Sequence, residues 1–311
     1  MFKVLVTGGA GFIGSHLVEK LVNLNYQVKV LDNFSSGRIS NLRCVKGKAK
    51  IVRGDIRDKK VLGKVVKNVD TIIHLAALTD VTESVRKPHL YHEVNTTGTL
   101  NLLHTAEKNK VQKFVYISTC AVYGEAKKLP INEEHPTAGL SPYAVSKLAA
   151  ENYCRVYNEV YGLKTVILRL FNVYGPGQQN KSYSGVIIRF IEMLNQNKPP
   201  IIYGDGEQTR DFVYVGDVVE AIVKAVESNI SFDIFNIGTG EPTTINHLAE
   251  TIIRVMGKEN LKPIHTEPRK GEIRHSQADI TKAKEKLGYK PQTNLTEGLK
   301  KTVLQLSKTV F

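Results

Sequence analysis

The stretch Lys3-Val4-Leu5-Val6-Thr7-Gly8-Gly9-Ala10-Gly11-Phe12-Ile13-Gly14 decides the fold of this chain. A short apolar run of strand character meets glycines at 8, 11 and 14, and an amphipathic stretch over 13–24 follows. Gly8 permits a tight strand-to-helix turn, Gly11 lets backbone approach a pyrophosphate, and Gly14 lets the helix pack closely on the strand. The free N–H groups that open such a helix then face phosphates. With Phe12 and Ile13, these glycines form a candidate dinucleotide cradle. A glycine-rich turn by itself also occurs as plain structure, so its surroundings decide.

Outward from it, segments rich in Val and Ile lie at 3–7, 27–31, 50–53, 71–75, 113–118 and 165–171. Most do not alternate apolar with polar, as expected of strands buried on both faces. Helix-like stretches at 13–24, 58–68, 90–109 and 143–161 separate them. This alternation predicts an α/β fold with a doubly wound parallel sheet and right-handed connections. After Asn172-Val173-Tyr174-Gly175-Pro176-Gly177 the pattern loosens, with Gly and Pro clustered at 175–177, 199–200, 204–206 and 238–242. Helices are expected at 185–197, 217–228, 244–256, 279–287 and 295–308. We read residues 1–175 as a dinucleotide-binding Rossmann domain and 176–311 as a smaller α/β substrate-binding domain. The boundary is soft and the two parts interleave.

The chain has 311 residues, with 43 Lys plus Arg against 30 Asp plus Glu, a net charge of +13. The basic residues are scattered, as in Val45-Lys46-Gly47-Lys48-Ala49-Lys50, and no dense run is interleaved with aromatics. That pattern suits a solvated basic surface with a pocket for an anionic small molecule, and not nucleic acid. No apolar run approaches the ~18 residues of a membrane-spanning helix. The first strand runs straight into Gly8-Gly9, so no export signal is expected. Cys44, Cys120 and Cys154 are odd in number and widely spaced. They exclude a disulfide framework and a paired zinc pattern, and they suit a reducing cytoplasm. His89 and His92 lack a third ligand nearby, so no metal site is expected.

Tyr26-Gln27-Val28-Lys29-Val30-Leu31 reads as the second strand, and Asp32 ends it. A carboxylate there accepts from adenosine ribose hydroxyls and repels a 2′-phosphate, which favours NAD over NADP. Arg38 follows, and an arginine nearby could serve the phosphate instead. Asn33, Ser35, Ser36 and Gly37 belong to the same cofactor edge. Asp55 and Ile56 close the third strand, where adenine would lie; Asp55 equally suits a loop residue or a helix cap.

Ser141-Pro142-Tyr143-Ala144-Val145-Ser146-Lys147 reads as a helix start, with Ser141 as cap and Pro142 in the first turn. Tyr143 and Lys147 are four apart and share a helix face. A phenol with pKa near 10 is a poor base at neutral pH. A neighbouring ammonium and a nicotinium ring both favour the phenolate. A drop of about three units takes roughly 4 kcal/mol and would give a general acid/base matched to the working pH. Isolated Tyr-x-x-x-Lys pairs are common as a packed tyrosine beside a solvated lysine. Here Ser118-Thr119 ends a strand just upstream, and the Thr119 hydroxyl could reach the same substrate oxygen.

These residues resemble the extended short-chain dehydrogenase/reductase family, within it the UDP-glucose 4-epimerases and related nucleotide-sugar epimerases. The likeness runs along nearly the whole chain, through His74-Leu75-Ala76-Ala77, Val94-Asn95-Thr96-Thr97-Gly98-Thr99, Leu170-Phe171-Asn172-Val173-Tyr174-Gly175-Pro176 and Gly204-Asp205-Gly206-Glu207-Gln208-Thr209-Arg210-Asp211-Phe212-Val213. It implies NAD as cofactor and a UDP-sugar as substrate. Tyr143 would take the proton of the sugar 4-hydroxyl while hydride leaves C4. The 4-keto sugar would turn over and be reduced on its other face. Lys147 would also hold the nicotinamide ribose. Leu75, Ala76, Ala77, Thr79 and Asn95 would contact the cofactor, with Phe171 beside the nicotinamide. On the substrate side, Asn172 would bind phosphates, Arg210 and Arg269 would grip the pyrophosphate, Glu272 would accept from the uridine ribose and Tyr203 would stack on uracil. Helices 90–109 and 143–161 would pair with a second copy in a homodimer.

Relatives that dehydrate or decarboxylate sugars usually carry acidic residues just before Val-Tyr-Gly; here Cys120 and Ala121 stand there. Without that acid, elimination lacks its general acid/base, which favours epimerisation over a 4,6-dehydratase or a decarboxylase. Cys120 is then a small core residue and not a nucleophile. Gly216 replaces a common acidic residue, and Thr79-Asp80 stands where relatives restricted to glucose and galactose often have lysine. Ser276, small where relatives vary in bulk, leaves room for an N-acetyl group. A non-catalytic NAD-binding sensor is the reading from another class, and the presence of both Tyr143 and Lys147 speaks against it.

Overall fold

A computed structural model describes residues 2–178, 185–268 and 273–308. In chain order its strands are β1 (Lys3–Thr7), β2 (Gln27–Asp32), β3 (Ala49–Arg53), β4 (Thr71–His74), β5 (Lys113–Thr119), β6 (Lys164–Leu170), β7 (Asn172–Tyr174), β8 (Ile201–Tyr203), β9 (Thr209–Tyr214), β10 (Phe232–Ile237), β11 (Pro242–Thr244) and β12 (Ile264–Thr266). Its helices are α1 (Phe12–Asn23), α2 (Lys59–Val65), α3 (Val81–Arg86), α4 (Pro88–Tyr91), α5 (Gly98–Lys108), α6 (Pro142–Tyr161), α7 (Val186–Asn195), α8 (Val215–Glu227), α9 (Ile245–Val255), α10 (Thr281–Leu287) and α11 (Leu295–Lys308).

Seven parallel strands form one sheet in the order β10-β6-β5-β4-β1-β2-β3. The winding reverses between β1 and β4, and open α/β sheets bind ligands at such a point, beyond the carboxyl ends of the strands. α1 and α8 cover one face through Leu17, Val18, Leu21, Val218 and Ile222. α2, α5 and α6 cover the other through Leu62, Leu102, Leu103, Ala150 and Cys154. Each fully buried Leu or Ile contributes about 1.5–3 kcal/mol by leaving water. A third cluster joins α7, α9 and α11 around Phe190, Leu194, Leu248 and Leu299. There β9 lies between β11 and β7 in a three-stranded sheet, and β8 pairs with β12.

Two departures from the expected elements shape the site. The helix expected over 90–109 is α4, a π-helical turn at His92–Thr97, then α5. The wider turn lets Thr96 donate from Oγ1 to the Ser146 carbonyl on α6 (3.0 Å) and brings Asn95 within reach of the same residue. Second, α3 and strands β7–β12 carry no signal in the hydrophobic pattern. Most are short, and β10 runs from three half-buried residues to three buried ones without alternating; even so, it completes the main sheet by pairing with β6, Phe232 opposite Thr165 and Ile237 opposite Leu170.

Candidate active site

The glycine turn has the geometry its residues require. Gly8 adopts φ +71, donates to the Leu31 carbonyl (2.8 Å) and accepts from the Gly11 N–H (3.1 Å). A Cβ at Gly14 would come within 2.2 Å of the Gly8 carbonyl oxygen, whereas one at Gly11 would approach only that oxygen, at 3.2 Å. No side chain caps α1 among the described residues, so its first N–H groups stay available toward the turn. Asp32 is buried at the end of β2; one carboxylate oxygen accepts from Ala10 N–H (2.9 Å) and the other from Phe34 N–H (2.8 Å). A carboxylate has about four acceptor sites, so capacity for two hydroxyls remains. The Asn33–Gly37 loop is pinned to the turn, since Arg38 N–H and Asn41 Nδ2 both donate to the Ala10 carbonyl (3.2 and 2.9 Å). Ser35 and Ser36 are exposed, while Gly37 is buried against Ala10.

Asp55 is held down to about 2 by hydrogen bonds from the Arg57 guanidinium, and Asn33 Nδ2 donates to it as well (2.9 Å). It therefore fastens the loop after β3 to the loop after β2. Ile56 is buried and packs where Gly98 begins α5.

At the switch point a buried relay ties β1 to the helices. Thr7 Oγ1 meets His74 Nδ1 (2.7 Å), and His74 Nε2 meets Thr99 Oγ1 (2.8 Å). Thr99 spends its proton on the Asn95 carbonyl (2.6 Å), so it accepts from Nε2–H, and Thr7 donates to Nδ1. Burial, reinforced by the Lys147 charge, pulls His74 down to about 3 and keeps it neutral. The Asn95 side chain receives from Leu78 N–H (2.8 Å) and donates to the Leu78 carbonyl and Ser146 Oγ (2.9 and 3.0 Å). Its amide is thus committed to holding the Leu75–Thr79 segment against α6. Leu75, Ala76 and Ala77 are half-buried there, and Thr79 is exposed.

Ser141 caps α6 through Oγ (3.2 Å from Ala144 N), and Pro142 occupies its first turn. Tyr143 and Lys147 then point together toward the end of β5, both nearly buried. The Lys147 ammonium donates to the Ile117 carbonyl (2.6 Å) and sits 4.2 Å from the Tyr116 ring centre. Burial pulls Lys147 down to about 7. Burial likewise pushes Tyr143 up to about 12, opposed by a hydrogen bond with Thr119. Burial thus outweighs the lysine charge, which the expected lowering of the phenol invokes together with a nicotinium ring. Desolvation disfavours both charged forms, and Lys147 directs its charge at the Ile117 carbonyl. Thr119 is held by its own Oγ1, which accepts from Ala121 N–H (3.2 Å).

Phe171 is buried between β6 and β7, and Asn172 opens a cavity of about 190 Å³ whose wall includes Arg189, Tyr203, Gln208 and Arg210. Three expected substrate residues, Asn172, Tyr203 and Arg210, therefore share one cavity. Sequence reasoning missed Arg189, whose guanidinium lies 5.2 Å from the Tyr203 ring centre, and Gln208, which fastens Tyr203 by donating to its carbonyl (2.8 Å). Ser276 N–H donates to the Thr209 carbonyl (3.2 Å), beside Arg210. The Cys120 thiol links this corner to Tyr143. Burial pushes it up to about 12, while the Arg210 charge and a hydrogen bond with Ser276 pull the other way. It stays protonated at neutral pH. Arg269 and Glu272 lie outside the described residues. A larger depression, about 560 Å³, opens at the opposite ends of the strands around Phe2, Thr71 and Lys113.

A glycine turn at the switch point and a tyrosine–lysine pair on α6, the β5–β6 crossover helix, define a Rossmann-fold enzyme of the short-chain dehydrogenase/reductase class. The chain belongs to the extended branch of that family: the family described as GDP-mannose 4,6 dehydratase matches residues 5–302. A Methanocaldococcus jannaschii protein provisionally named a UDP-glucose 4-epimerase is 46% identical over 302 residues, covering 96% of this chain and 97% of that protein. The solved UDP-glucose 4-epimerase of Thermotoga maritima, with UDP-glucose, superposes with a TM-score of 0.95 at 41% identity, over 100% of both chains. That of Thermus thermophilus, in complex with NAD, gives 0.90 at 38% identity, covering 98% of this chain and 99% of that one. Decarboxylases and dehydratases of nucleotide sugars also stand among the relatives.

Proposed function

We propose that this protein is an NAD-dependent UDP-hexose 4-epimerase that interconverts UDP-galactose and UDP-glucose and accepts N-acetylated analogues. The observation that carries this reading is the pair Cys120 and Ala121 beside Thr119 and Tyr143, where an elimination or decarboxylation site needs a carboxylate. The glycine turn, open at Gly11, and the spare acceptor capacity of Asp32 fit NAD. The chemistry NAD brings when bound is reversible hydride acceptance.

Tyr143 holds and returns the proton of the sugar 4-hydroxyl at its phenolic oxygen, with Thr119 donating to that oxygen. Lys147 supplies positive charge beside the phenol and a donor for a ribose hydroxyl. Asn95 acts by fixing Leu75–Thr79 and Ser146, and so orients the cofactor edge of α6. Arg210, Asn172 and Tyr203 hold the UDP portion, and planar guanidinium suits phosphate oxygens; Arg269 and Glu272 complete that grip. The small Cys120 and Ser276 leave the sugar room to present either face. Residues 176–311 supply most of this nucleotide-sugar wall, and 1–175 the cofactor side. The exposed face of α6 formed by Val145, Tyr153, Val156 and Val160 supports a homodimer. The free thiols Cys44, Cys120 and Cys154 support a reducing cytoplasm, and no described helix is long and apolar enough to cross a membrane.

The test is NMR of purified protein with UDP-galactose and no added cofactor. UDP-glucose formed without net NADH supports the reading. A 4-keto-6-deoxy sugar or CO2 would reassign the protein to the dehydratases or decarboxylases, and bound NAD without turnover would favour a sensor. Parallel tubes with UDP-N-acetylglucosamine test the room at Ser276.

A further inference from the structure

Behind the tyrosine–lysine pair lies a buried ion pair that the reaction described above leaves without a task. Glu151 follows Lys147 by one turn of α6, and Arg169 reaches it from β6, with side-chain exposures of 3% and 4%. Arg169 Nη2 and Nε donate to the two carboxylate oxygens at 2.6 and 3.1 Å, and Ser118 Oγ donates to Oε1 at 2.5 Å. Ser118 and Arg169 are register partners on β5 and β6, immediately before Thr119 and two residues before Phe171. The guanidinium also lies 4.8 Å from the Tyr123 ring centre and donates to the Glu133 carbonyl (3.4 Å). A buried ion pair is a poor source of stability, since desolvation consumes its attraction.

The surroundings of Lys147 indicate what the pair does. His74, from β4, is neutral. Burial keeps Tyr116 on β5 and Cys154 on α6 protonated. The π turn presents Asn95 and Thr96, which carry no charge. At α3 and α4, Asp80 caps its helix, and Glu83 is engaged by Lys87 (2.9 Å) and Tyr91 (3.2 Å). Glu151 is the full negative charge acting on Lys147 among the described residues.

We infer that Glu151 is a positioning residue for the reaction: its carboxylate, fixed by Arg169 and Ser118, keeps Lys147 an ammonium beside Tyr143. This rests on the epimerase reading, in which Tyr143 works as acid and base. Opposite charges within a few ångströms move a pKa by about 1–3 units. Removing Glu151's charge should therefore leave Lys147 neutral to lower pH and Tyr143 harder to ionise.

The test compares Glu151→Gln with Arg169→Lys. In E151Q the rising limb of kcat against pH should move alkaline by about 1–2 units, with KM for UDP-galactose little changed. At pH 6.5 that is a loss of about 10- to 100-fold in kcat. The Lys147 ε-carbon NMR signal, assigned with Lys147→Met, should titrate lower by the same 1–2 units in the absence of substrate. R169K keeps the charge but loses the fork, and should reduce stability while moving neither readout. A folded E151Q with both readouts unmoved overturns the proposal, and so does R169K shifting as far as E151Q. Should E151Q fail to fold, Glu151→Asp replaces it and must shift in the same direction by a smaller step. A parent protein that turns over no UDP-hexose would sink the epimerase reading, yet the Lys147 titration would still decide the role of Glu151.

Discussion

His74 makes the fold acid-sensitive in a way that can be measured. Its ring is buried, accepts from Thr7 and donates to Thr99, leaving no place for a second proton. Its pKa falls from 6.5 in the unfolded chain to about 3. Between these values the unfolded chain binds the proton and the native protein does not. Stability from this site is thus fully present above pH 6.5 and drains away as the pH falls toward 3. At pH 5 the solution lies 1.5 units below the imidazole's unfolded pKa of 6.5, so the loss is about 2 kcal/mol. The perturbation is His74→Asn, which cannot titrate. At pH 7.5 it should cost about 1–3 kcal/mol for the stranded threonine hydroxyls. Urea unfolding of parent and variant at pH 7.5 and pH 5 isolates the site, since other titrations cancel in the difference. The gap between the two proteins should shrink by about 2 kcal/mol on going to pH 5. A signed stability difference that does not change between the two pH values would refute the assignment of a neutral, doubly bonded His74.

Tyr143→Phe should fold as the parent does and lose about 10²–10⁴-fold in kcat for UDP-galactose, measured by coupled assay of UDP-glucose. Gly14→Ala forces a methyl to 2.2 Å from the Gly8 carbonyl, whose neighbours are backbone and cannot yield. It should cost about 1–3 kcal/mol in denaturant unfolding and release bound NAD on gel filtration. Sedimentation should find the parent a dimer, and the double variant Val156→Lys, Val160→Lys, which places two charges on the exposed face of α6, a monomer.

The cradle, Asp32 and the Tyr143–Lys147 pair were legible because each depends on local spacing: glycines three apart, a carboxylate at a strand end, two side chains one helical turn apart. What stayed hidden depends on pairing across the fold. Glu151 and Arg169 lie 18 residues apart, and only the register of β5 with β6 unites them with Ser118. Asn95 sits in a recognisable motif, yet its three hydrogen bonds to Leu78 and Ser146 require the π turn, which no periodicity announces. Arg189 lies in an amphipathic helix, and the Tyr203 ring reaches it only through the β8 and α7 packing. The direction of the Tyr143 and Lys147 shifts depends on burial, which spacing along a helix does not report.

Strand β10 has a consequence for the order in which the chain can fold. It closes the far edge of the sheet on β6, and its Asn236 bonds the Tyr123 hydroxyl (2.7 Å) and the Ile131 carbonyl (2.8 Å). During synthesis, β6 must wait as an open apolar edge until residues 232–237 leave the ribosome. Such an edge invites strand addition from other chains. A fragment ending at residue 175 would keep every residue of the glycine turn and still expose that edge. The first half of the gene therefore does not encode a self-sufficient cofactor module, and a fission or domain swap there would have to carry β10 with it.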